Sequence, residues 1–142
     1  MRKDTTARRI VTAVVLLHLV ISMIHGAAHS AAAVPMTLAG NLFVYVVILA
    51  GPLAGLWLSR SRPVAGGWMI AVTMAGSLAF GVVNHFVLAG PDHVSHVAER
   101  WRLLFASTAV LLAVVETAGA AAGVWLASRR GHVTSDRLSP VS

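Results

Sequence analysis

The chain contains no cysteine. Disulfides, thiolate metal sites, iron–sulfur clusters and cysteine nucleophiles are therefore excluded. Charge is scarce too: only 11% of the 142 residues are Asp, Glu, Lys or Arg, against roughly 25% in a soluble domain. Five acidic residues face eleven basic ones, a net charge of +6. Such an excess can signal a nucleic-acid binder, but here the basic residues gather at the ends of apolar runs and form no recognition motif. They read as membrane-orienting charge, with no nucleic-acid partner. A Walker loop, a G-x-S-x-G elbow, an H-E-x-x-H pair and a dinucleotide fingerprint are all missing. So is any repeat of 20–50 residues.

What remains is apolar residue, 57% of the chain, in four runs at about 10–33, 36–58, 66–89 and 101–127. Each is long enough to cross ~30 Å of hydrocarbon as a helix of ~20 residues. Lipid leaves no partner for free backbone groups, so helix is the expected form. Trp57, Trp68, Trp101 and Trp125 fall at the run ends, where tryptophan favours the membrane interface. The predicted fold is all-α: an integral membrane, antiparallel four-helix bundle in a single domain over 1–130, followed by a polar, disordered tail at 131–142. The lipid bilayer is its first partner.

Arg2, Lys3, Arg8 and Arg9 precede the first run, Arg60 and Arg62 separate the second and third, and Arg129, Arg130 and Arg137 follow the fourth. The positive-inside rule then places both termini in the cytoplasm of a multi-pass protein of the cytoplasmic (inner) membrane. The Pro35 turn and the loop 90–100 face outward. The start of the chain, with a basic n-region and Ala31-Ala32-Ala33, resembles a cleavable signal peptide. A long apolar run interrupted by His18 and His25 favours a retained helix instead.

Seven histidines are many for this length. Three lie in "HLVISMIHGAAHS", where His18, Ser22, His25 and His29 follow spacings of 4, 3 and 4. That is one stripe on one helix face. Ser77, Gly81, Asn84 and His85 form a second stripe, and Asn41, Tyr45, Ile48 and Pro52 a third. Ala109, Ala113, Glu116, Ala120, Gly123 and Ala127 form the fourth. Small residues mark close helix approach, and the Gly119/Gly123 spacing also offers a face for a homo-oligomer.

Depth divides the polar groups into two layers. His25, His29, His85 and Asn41 belong to the outer third, beneath a loop, "GPDHVSHVAER", that brings Asp92, His93, His96 and Glu99. His18 and Glu116 meet near mid-membrane. His25 and His29 form an H-x-x-x-H pair able to share one metal ion. His85, then His93, His96 and Asp92, are the further candidate ligands. With no thiolate, zinc, iron or copper suits the set. Glu116 is costly in lipid, ~2.5–3.5 kcal/mol on insertion scales, and with His18 is the candidate catalytic, proton-handling pair. The plainer reading is that these groups only hold helices in register.

The sequence therefore points to a small membrane protein with a His-rich metal centre in its outer half, a candidate metal-dependent enzyme. The alternatives are a b-type haem electron-transfer subunit with His25 or His29 paired to His85, a metal or proton translocator, and a purely structural subunit.

Overall fold

The structure, a computed structural model, describes residues 2–135, with side chains placed for 6–129. Four helices account for nearly all of it, and there is no strand among the described residues. They are α1 (Arg2–Ala31), α2 (Leu38–Leu58), α3 (Pro63–Val87) and α4 (Glu99–Ser135). All four are long and apolar enough to cross a membrane. Helix α4 reaches beyond residue 130, so the segment expected as a tail begins as helix. Residues 136–142 lie outside the described part.

The buried stripe of α1 runs Ala7, Val11, Val15, His18, Ile21, His25 and Ala28, the spacing expected of a helix with one face on a core. The stripe is apolar toward the N-terminus and polar toward the other end. Val11 and Val15 join Ile70, Met74 and Leu126 in an apolar cluster, while Ala28 joins Val97 and Phe105 in a second one at the opposite end. The histidines lie between the two.

Small residues set the helix contacts. A Cβ on Gly123 would stand 2.7 Å from both Ala71 N and Gly67 O, and one on Gly67 2.8 Å from Ala127 N. Helices α3 and α4 thus meet backbone to backbone, and van der Waals packing of this kind is what holds helices together in lipid. Gly119 packs on Met74, so the glycine face that could serve an oligomer is used within the chain. Arg8 Nη2 donates to the carbonyls of Ser59 and Arg60, both at 3.0 Å. It closes the end of α2 and places the start of α1 beside the α2–α3 turn. Ala33 adopts a left-handed φ of 52°, and Val34 N–H donates to His29 O at 3.1 Å. That six-residue closure ends α1 just past its last histidine.

Two helices contain π turns. Residues Val44–Ala50 of α2 widen before Gly51-Pro52, and Gly51 N–H reaches back five residues to Val46 O. Pro52 has no N–H to give to the turn before it, and its ring crowds the carbonyl four residues back. The second, Val83–Val87, ends α3, with Leu88 N–H donating to Val83 O at 2.8 Å. It carries His85.

Candidate metal centre

Helix α1 supplies His25 and His29 from successive turns, and the π turn of α3 supplies His85. All three are buried, and one ligand nitrogen of each lies within 4.8 Å of the others. Their rings share one neighbour: Phe105 lies 4.7 Å from His25, 4.7 Å from His29 and 5.0 Å from His85 between ring centroids. Phe105 is itself fully buried.

The partners of the outer nitrogens assign the tautomers. Thr108 has one hydroxyl proton, and Oγ1 donates it to Leu104 O at 2.7 Å, an atom that can only accept. Thr108 Oγ1 then accepts from His25 Nδ1–H at 2.8 Å. His85 Nδ1 lies 3.0 Å from the carbonyl of Asp92 and must donate to it. In neutral rings this leaves Nε2 of both residues as a lone pair. Those two atoms face each other at 3.2 Å. Two nitrogens bound to one tetrahedral ion at ~2.0–2.1 Å would stand about 3.3 Å apart.

Two more atoms are left over. His29 Nδ1 and Asp92 Oδ1 are buried with no hydrogen-bond partner. Oδ1 approaches His29 Nε2 at 3.3 Å and His85 Nδ1 at 3.6 Å, but neither approach has hydrogen-bond alignment. Asp92 therefore stands behind two of the rings, where a carboxylate orients histidine ligands.

His93 and His96 are brought to each other, with centroids 5.6 Å apart, and not to the triad. His93 Nδ1 accepts from Ser95 N–H at 3.2 Å, and His96 Nδ1 donates to Gly90 O at 2.6 Å. Their i, i+3 spacing arranges the loop around Ser95 and Gly90. Glu99 is exposed in the first turn of α4.

The deeper layer forms as a pair. His18 Nε2 lies 3.3 Å from Glu116 Oε1, and both side chains are buried. Ser22 Oγ meets the same nitrogen at 3.3 Å, and His18 Nδ1 has no partner. Seven residues of α1, about 10 Å of rise, separate His18 from His25. Glu116 is thus a separate station below the triad.

Phe105 and Thr108 were the missed residues. Continuing the Ala109–Ala113–Glu116 stripe one turn toward the N-terminus would have reached both. Comparison with protein-family models, curated proteins and solved structures finds no match.

Proposed function

We propose that the protein is a membrane metalloprotein whose His25, His29 and His85 hold one transition-metal ion in the outer half of the bundle. The observation that carries this reading is the facing pair of Nε2 lone pairs at 3.2 Å, each ring committed as a donor on its other side. Something electrophilic belongs between them. A shared proton would serve that one contact. A metal ion would also use the third histidine and offset the half-buried Asp92 carboxylate. Three neutral nitrogens suit zinc, iron(II) or copper(II), and three protein ligands with a free position are the usual pattern of a catalytic ion. Such an ion supplies Lewis acidity or a bound hydroxide. Asp92 and Thr108 orient the rings, and Glu116 with His18 exchanges protons from below.

A b-type haem fits this arrangement poorly. Axial ligands on opposite faces of one iron stand about 4 Å apart, twice a metal–nitrogen bond, while the Nε2 atoms of His25 and His85 lie 3.2 Å apart. Translocation has little support either: beneath Glu116 the interior is filled by Val15, Ile70 and Met74, all fully buried.

The test is purification of the full chain in detergent without chelator, followed by elemental analysis and an absorption spectrum. Zinc, iron or copper at about one ion per chain is the expected result. A Soret band would select haem, and neither signal from folded protein would overturn the metal reading.

A further inference from the structure

A cavity of about 480 Å³ adjoins the triad, within the roughly 300–1,000 Å³ of small-molecule sites. Its titratable groups, Tyr45 at the mouth aside, lie at two ends. His25, His29 and His85 line the outer end, and Ser22 and Glu116 the inner one. Between them the wall is Val44, Ile48, Leu49, Leu112 and Ala113.

The triad is roofed against the aqueous side. Ala28, Val97 and Phe105 pack with Val34, Val94 and Trp101 above it. The loop is tied down at His85 in both directions, Nδ1 donating to Asp92 O and the carbonyl accepting from Val94 N–H at 3.0 Å. The side facing lipid is different. Met23, Gly26, Ala27 and Ser30 all line the cavity and are all exposed on the outer surface of α1. Tyr45 does the same from α2; it is 63% exposed and Met23 62%. Residues that line a cavity and also face outward bound its mouth. Nothing in the stretch from Leu38 to Ala50 is buried, and a Cβ on Gly26 would meet no atom within 4 Å. The mouth therefore opens between α1 and the first half of α2, within the apolar span of both.

We propose that this cavity takes a single-chain amphiphile sideways from the bilayer, its carboxylate or hydroxyl head at the histidine triad and its chain against Val44, Ile48, Leu49 and Leu112. The placement of the head rests on the metal reading above, because an oxygen ligand is what a three-nitrogen ion with a free position takes. The route rests on the mouth and the roof alone. A water-borne substrate would meet Val94, Val97 and Trp101, whereas a lipid meets an opening.

The full chain in phospholipid bilayers would be photolysed with stearic acid carrying a mid-chain diazirine, and the adducts mapped by mass spectrometry. Adducts on Ile48, Leu49 or Leu112 that fall at least five-fold under excess oleic acid are expected. Gly26→Trp, which fills open space at the mouth, should reduce them similarly while melting temperature and metal content hold. Adducts confined to lipid-facing positions such as Leu16, Val20 and Val110, and indifferent to competitor, would overturn the proposal. So would competable internal adducts unchanged by Gly26→Trp, since the route would then lie elsewhere. Metal content is measured on the same samples, so a protein without metal that still gives competable internal adducts would refute the metal reading and keep the lipid site.

Discussion

His25 and His85 point nitrogen at nitrogen across 3.2 Å, and neither has a proton to offer the other, because Thr108 and the Asp92 carbonyl have taken them. Residues 60 apart in sequence meet in a contact that is repulsive between two neutral rings. The rest of the site is built around that contact: Phe105 against the rings, Asp92 behind, His29 completing the triangle.

If these rings share an ion, replacing any one ligand removes most of its affinity. His25→Ala, His29→Ala and His85→Ala should each lower bound metal by 10–100-fold or more, the range seen when ligands or their orienting partners are lost. His93→Ala and His96→Ala should leave it near wild type, because those rings bond to Ser95 and Gly90. Metal-to-protein ratios of the five purified variants decide it. Equal ratios throughout would remove the triad as the site.

Thr108 gives a subtler test. Its hydroxyl fixes the tautomer of His25 without facing the ion. Thr108→Val keeps the shape and deletes the acceptor, and should weaken metal binding about 10-fold or more. Thr108→Ser should restore it. Competition against a chelator of known affinity would show whether Ser differs from Val.

Much of this was legible in advance, and the reason is periodic. A helix in lipid must put its polar groups on one side, so His18, Ser22, His25 and His29 declared a face that the structure buries except at its edges. The pairing of His18 with Glu116 followed from depth alone. The loop was harder, because no period constrains it. His93 and His96 match a ligand spacing, yet backbone turns at Gly90 and Ser95 aim them at each other. Asp92, one residue away, is drawn under the loop. The π turns were also hidden. One follows from Pro52, but the turn that aims His85 has no proline or glycine to announce it.

The bundle itself predicts a cost at the α3–α4 contact. A side chain on Gly123 would drive a carbon to 2.7 Å from Ala71 N and Gly67 O, and backbone cannot step aside. Overpacking of this sort costs about 1–3 kcal/mol. Gly123→Val should therefore lower the thermal midpoint in detergent by several degrees. Gly26→Val, with open space around it, should not. Similar losses at both positions would mean that the contact is not what holds α3 to α4.

Orientation can be measured directly because the chain has no cysteine. Ser61→Cys, in the α2–α3 turn, and Ser95→Cys, in the loop before α4, each introduce a single exposed thiol. The arginine bias puts Ser95 outside and Ser61 inside. A membrane-impermeant maleimide added to intact cells should label Ser95→Cys alone. The reverse pattern would turn the protein over and place the triad in the inner half of the membrane.

The final test concerns why His18 and Glu116 are there at all. Both side chains are buried, and they lie 3.3 Å apart. Removing one partner of such a pair strands the other in an apolar layer and costs about 3–5 kcal/mol, whereas replacing both with apolar residues of similar volume is often neutral or stabilising by about 1–4 kcal/mol. His18→Leu and Glu116→Leu should each lower the melting temperature markedly. The double variant should recover it to wild type or above, because the surrounding Val15, Ile70 and Met74 already form an apolar core. Glu116→Gln keeps the shape and an acceptor for His18, so it should fold normally and bind metal normally. Recovery of the double variant would mean that stability does not require the pair. A double variant less stable than either single one would assign His18 and Glu116 to architecture and take them out of the mechanism.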